Sequence, residues 1–156
     1  MKSRLSRRIT ATGAGVEYDA DFFAWTQRTA ALLRARRFDE VDVEHAAEEI
    51  DSMGRRDVRE VNGRLQVVLV HLLKWQLQPQ NRTASWQRTL LTQRSKIHVL
   101  LKDSPSLQAR LPDDLRGNYE HAVKDAALET GLRADGFASQ CPFTVAQILD
   151  ENFLPA

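Results

Sequence analysis

A histidine stands in the middle of the most apolar stretch of this chain, "VVLVHLLKWQLQP", from Val67 to Pro79. An imidazole placed there can be a metal ligand, a general base, or a core side chain with a satisfied hydrogen bond. Helical spacing tells which other polar groups point inward with it. Glu49 follows Ala46 by three residues and precedes Met53 by four, so it flanks an apolar helix face. Glu129 continues the line of Ala122 and Ala126 on the side of Tyr119, and Gln93 lies between Leu90 and Ile97. Four helices thus each offer a polar group to an interior. One imidazole with two carboxylates suits a transition metal or an acid/base pair, and helical bundles build such sites between facing helices. Glu49, His71 and Glu129 are therefore the candidate catalytic and metal-ligating residues, with Lys74 and Arg94 as candidate anion holders.

A plainer reading competes with that one. Buried polar groups have to be paired, because an unpaired one costs roughly 1–3 kcal/mol, and paired networks help fix which helix meets which. No ligand motif favours a site. Glu44 and His45 are adjacent and point apart, neither His71 nor His121 follows a glutamate by three residues, and His-Glu-x-x-His and Cys-x-x-Cys are missing. The weight falls on His71 as a satisfied core histidine. Cys141, before Pro142 and an expected helix start, could have a lowered thiol pKa, although a lone cysteine is more often a small buried hydrophobe. No phosphate-cradling glycine loop or dinucleotide fingerprint occurs.

The elements that must position these residues read as helices almost throughout. Tyr18, Phe22, Trp25, Thr29 and Leu32 recur at three- and four-residue steps, predicting a first helix capped by Asp19 or Asp21. Asp42 caps a second, with Val43, Ala46, Ala47, Ile50 and Met53 on its apolar side and Gly54 as its stop or kink. A third runs from about Arg56 to Gln78 on a stripe of Val58, Val61, Leu65, Val68, Leu69 and Leu72, widened by Val67 and Val70, and stops at Pro79. Thr83 or Ser85 caps a fourth with Trp86, Leu90, Ile97, Leu100 and Leu101 aligned. Ser104 and Pro105 mark a break. A fifth helix carries Leu115, Tyr119, Ala122 and Ala126 as far as Gly131, and Thr144 caps a short last one. No strand alternation, internal repeat or low-complexity segment is visible. The expected fold is all-α, a compact bundle of five to six helices.

The bulk numbers bound the rest. The chain's 156 residues fit one domain, and a 42% hydrophobic content can furnish a core. Basic and acidic residues balance at 22 against 21, so no strong global field steers the chain toward nucleic acid or an acidic membrane. A single cysteine, Cys141, excludes an intrachain disulfide and suits a reducing cytoplasm. "MKSRLSRR" is basic, but no apolar stretch follows it as in a signal peptide. His71 and Lys74 interrupt the apolar run before the about 20 residues a membrane span needs. The expected organisation is a flexible basic leader over residues 1–16 and a single helical domain over 17–156.

Several phrases, in order, carry a resemblance: "YDADFFAW", "AAEEIDSMGRRD", "HLLKWQLQP", "SW" followed by "TLLTQRSKI", "SPSL", and "CPF" before "QILDENFLP". From Tyr18 to Pro155 the chain resembles the bacterial domain-of-unknown-function family twenty-nine. The resemblance implies an all-α bacterial domain with no assigned activity. Matching motif residues are Trp25, Glu48, Glu49, His71, Lys74, Trp75, Pro79, Trp86, Arg94, Cys141 and Pro142. Gly63, Ala138 and Phe143 depart from the pattern, which has serine, proline and tyrosine there.

Three functions follow as expectations. The leading one is a non-catalytic protein-interaction module, binding another protein or itself through exposed aromatics off the main stripes, Phe23 and Trp75. The alternative is a metal-dependent hydrolase using the His/Glu set, although no cofactor is strongly implied. The third is weak nucleic-acid binding through Arg82, Arg88, Arg94, Lys96 and Lys102, which the overall charge balance disfavours. A membrane partner is not expected.

Overall fold

The computed structural model describes residues 13–156. Most of the expected leader, residues 1–12, lies outside the described residues, while 13–16 belong to a helix. The described residues form six α-helices and no strand: α1 (Gly13–Ala20), α2 (Phe22–Arg34), α3 (Val43–Leu77), α4 (Ala84–Asp103), α5 (Leu111–Thr130) and α6 (Val145–Leu149). Short 3-10 segments at Phe38–Glu40, Pro79–Asn81, Pro105–Arg110 and Ala134–Gly136 lie between them. The all-α class is the one expected. The chain divides into two compact units after Arg55.

In the first unit the expected first helix is two. Asp21 leaves helical geometry, and its carboxylate accepts the Ala24 amide at 2.9 Å, capping α2. Arg36 closes α2 at φ 57, letting the Arg37 amide reach back to the Leu32 carbonyl at 3.0 Å. Asp42 starts α3 as expected, its carboxylate accepting the His45 amide at 3.4 Å. Trp25 and Leu32 are buried on α2.

The expected inward stripe of the next helix is not inward. Tyr18 stacks on His45 at 4.1 Å between centroids and donates its O–H to Glu49 at 2.6 Å. The first turns of α3 therefore meet α1 through an imidazole and a carboxylate. Val43, Ile50 and Met53 stay 62%, 67% and 60% exposed.

Gly54 does not end this helix either. α3 runs on unbroken to Leu77 with Gly54 and Gly63 in helical geometry, the about 1 kcal/mol cost of each glycine being outweighed by burial further along. Val61, Leu65, Val68, Leu69 and Leu72 are sealed in the second unit, each worth roughly 1.5–3 kcal/mol. They pack with Leu90 and Ile97 of α4, with Tyr119, Ala122 and Ala126 of α5, and with Ile148 and Leu149 of α6. Thr83 caps α4 through the Trp86 amide at 3.3 Å. Gly131 ends α5 in the left-handed region, φ 71, where glycine alone is unstrained. Thr144 and Gln147 form a capping box on α6.

Candidate functional site

His71 is half-buried on α3. Its Nδ1 lies 2.8 Å from the Val67 carbonyl, which can only accept, so Nδ1 carries the proton and Nε2 is the lone-pair nitrogen of the neutral ring. Burial pushes its pKa down, the Lys74 ammonium adds to this, and the Val67 bond and Glu129 oppose it. His71 lines a shallow pocket of about 120 Å3 with Gly63, Gln66, Val70, Asp125 and Glu129. The nearest cation is spoken for. Lys74 is buried, with its Nζ 2.5 Å from Glu129 Oε2 and 4.5 Å from the centre of the Trp86 ring. Its charge is neutralised on one side and faces a π-cloud on the other.

Of the remaining candidates, Glu129 shares this pocket with His71. Glu129 is not on the buried side of α5 as expected: its side chain is 49% exposed, at the rim where α5 meets Lys74. Glu49 belongs to the first unit and accepts from Tyr18, whose pKa that bond pushes up to about 12. Among the described residues no three His, Cys, Asp or Glu side chains are grouped to hold a metal ion.

Arg94, the other anion-holding candidate, is 1% exposed and directed at carbonyls. It donates from Nε to Ile148 at 2.8 Å, from Nη1 to Phe153 at 3.0 Å and from Nη2 to Gln147 at 3.4 Å. His98 Nε2 meets the Leu149 carbonyl at 2.9 Å beside it. These groups satisfy the open carbonyl end of α6 and the segment after it. Arg94 is a clamp on the chain itself.

Of the two aromatics expected at an interface, Phe23 is 73% exposed and Trp75 only 8%. Arg82 covers Trp75, its guanidinium carbon 5.1 Å from the ring centre while its Nε donates to the Trp75 carbonyl at 2.9 Å. Trp75 is withdrawn from any open surface. Cys141 is half-buried and burial pushes its thiol pKa up, against the lowering that a helix start would give.

One half-buried network, centred on the buried Asn118, escaped the sequence reading. Asn118 on α5 donates to Asn62 at 2.9 Å and accepts from Gln66 at 2.9 Å, and Asn62 donates to Asp114 at 3.3 Å. Asn62 and Gln66 are four residues apart on α3, as are Asp114 and Asn118 on α5. That matched spacing was the available signal. Gln93, expected in the interior, is half-buried and accepts from Arg64 at 3.0 Å.

These groups satisfy one another, and the arrangement reads as scaffold. A family model described as "Domain of unknown function DUF29" matches residues 17–154. The chain belongs to the DUF29 family. No curated protein and no solved structure matches it. The departures of this DUF29 chain from the pattern are accommodated locally. Phe143 is buried edge-on against Phe153 at 5.9 Å, a place with no need of a hydroxyl, and Ala138 serves through its carbonyl, which accepts from Tyr119 at 2.8 Å. Gly63 leaves open space above the His71 pocket. No helix among the described residues is long and apolar enough to cross a membrane.

Proposed function

We propose that this DUF29 chain is a non-catalytic interaction module that docks another protein chain through its first unit. The observation that carries the reading is the open face of α3, where Val43, Ile50 and Met53 fall within one helical stripe and stay exposed. Phe23 on α2 and Phe38 in the turn after it add exposed aromatic rings in the same unit. A stripe at three- and four-residue steps is matched by the apolar face of another helix, so the partner presents an amphipathic helix. The single cysteine and balanced charge suit a reducing cytoplasm as the place where this occurs.

The test is photo-crosslinking in the cell, with benzoylphenylalanine in place of Phe23 in one variant and of Ile50 in another. An adduct of defined mass at either position, weakened at least tenfold by Met53→Glu, is the expected result. Folded protein with no adduct at either position overturns the reading.

A further inference from the structure

We propose that the pocket beside His71, between α3 and α5, binds a primary ammonium group, with His71 Nε2, Asp125 and Glu129 as its acceptors. The site lies wholly in the second unit and does not depend on the docking face of the first. α3 and α5 are joined by a ladder of polar contacts that climbs both helices in the same direction. Asn118 donates to Asn62 at 2.9 Å, and Gln66 donates to Asn118 at 2.9 Å. Further along, Lys74 donates to Glu129 and Gln78 donates to the Thr130 carbonyl at 3.4 Å. Each of these rungs has a donor supplied by the chain itself. Between them stands the pocket of about 120 Å3, with Val67 and Val70 as apolar wall and His71, Asp125 and Glu129 as polar lining. No bond of the chain closes that rung.

The groups left over there are acceptors. His71 Nδ1 donates to the Val67 carbonyl, which leaves Nε2 as the open atom of the ring, and burial favours the neutral form with its lone pair free. Asp125 has no hydrogen bond or ion pair among the described residues, and Glu129 engages Lys74 through Oε2 alone. Two carboxylates beside one ammonium leave one negative charge uncompensated. A primary ammonium brings three N–H donors, no acceptor and one positive charge, so it answers the geometry and the charge together. Lys74 shows the same chemistry one turn on, its own ammonium resting on Glu129. A guanidinium fits less well, because its planar fork matches the two oxygens of one carboxylate rather than acceptors on separate side chains. At about 30 Å3 for each water, the pocket takes the terminal methylene and ammonium of an alkyl chain and no bulkier head. The remainder of the ligand leaves over Gly63, where nothing stands within 4 Å of the place a Cβ would take. A free alkylamine and the lysine side chain of another protein both carry this group.

NMR titration of the full chain tests this with two probes, n-butylamine for a free amine and acetyl-lysine methylamide for a lysyl side chain. The His71 ring signals and the Asp125 amide should shift saturably, with a Kd of about 1–10 mM for charges that remain open to solvent. Tighter binding of one probe identifies the source, and equal binding shows that the site reads the ammonium alone. Tetramethylammonium, which has the charge and no N–H, should give no saturable shift at the same concentration. Asp125→Asn, at an exposed position, should leave the melting temperature unchanged and weaken binding about fivefold. Gly63→Met separates the site from the fold: it should raise the melting temperature by improving the helix and abolish binding by filling the mouth of the pocket. Folded protein that shows no saturable shift with either amine overturns the proposal. So does an equal response to tetramethylammonium, or binding unchanged in Asp125→Asn.

Discussion

His45 and His71 are each held by a hydrogen bond, yet their surroundings push them in opposite directions. His45 Nδ1 sits 2.7 Å from Asp42, a carboxylate that favours the imidazolium and raises its pKa. His71 is desolvated, which favours the neutral ring and lowers its pKa. A raised pKa means the folded state binds the proton more tightly than the unfolded chain does. His45 therefore adds stability that is complete below the ordinary imidazole value of about 6.5 and is lost as pH rises through its folded pKa. His71 does the reverse, adding stability present above about 6.5 and lost as pH falls through its folded pKa. Ring-proton NMR titration should give a midpoint above about 6.5 for His45 and below it for His71. A His71 midpoint at or above that value would contradict the neutral, carbonyl-bonded ring. Much of this was legible: an imidazole among valines and leucines has to be satisfied, and a carbonyl one turn back on the same helix is a local partner. Trp75 was not legible. Its position off the main stripe signalled exposure, but its cover is Arg82, carried back over it by the Pro79–Asn81 turn. Periodicity within one helix carries no information about such a return.

At the scale of elements, Arg94 decides whether the end of the chain is held. α6 has five residues, too few to persist as an isolated helix. It is kept in place by Ile148 and Leu149 in the core and by the three carbonyls that Arg94 binds. Arg94→Met keeps the aliphatic stem and removes every donor, leaving those carbonyls short of partners. The expected cost is about 3 kcal/mol, on the order of 1 kcal/mol for each lost bond. Amide exchange should then accelerate first over residues 148–153. A melting temperature unchanged within about 1 °C would show that the carbonyls find other donors. Arg94 stands four residues after Leu90 and three before Ile97, so the stripe itself put it inside. The expectation of an anion there came from reading arginine as a cation to be used, whereas its geometry also serves carbonyls. α3 taught the opposite lesson. Its glycine signal at Gly54 was read as a stop, but one exposed glycine costs about 1 kcal/mol, too little to break a helix anchored by fully buried turns on one side.

At the scale of the whole molecule, the two units differ in what holds each together. The second has a continuous core drawn from α3, α4, α5 and α6, with Arg94 and the Asn62–Asn118–Gln66 ladder satisfying its buried polar groups. Among the described residues the first buries only Trp25 and Leu32 of its large apolar side chains, and the Trp25 indole N–H is buried without a partner there. Two such side chains contribute about 3–6 kcal/mol, against an ordering cost of roughly 1–2 kcal/mol for every residue fixed. A fragment of residues 1–55 should therefore fail to fold alone, showing weak helical circular dichroism and no cooperative melt. A fragment of residues 56–156 should keep both. A cooperative transition in the short fragment would mean that aromatic contacts around Tyr18 supply more than their area suggests. The sequence showed both sets of apolar residues at equal strength, since a stripe looks the same whether or not anything covers it. What separates them is burial, a tertiary property. The same argument ties stability to docking: a unit with little interior and an open apolar face gains stability when that face is covered, in proportion to partner concentration over Kd. In the full chain, amides of α2 and the first turns of α3 should exchange more slowly with the partner bound than in the free protein, while those of α4 and α5 stay unchanged. Equal exchange in the two states would leave the open face without an energetic role.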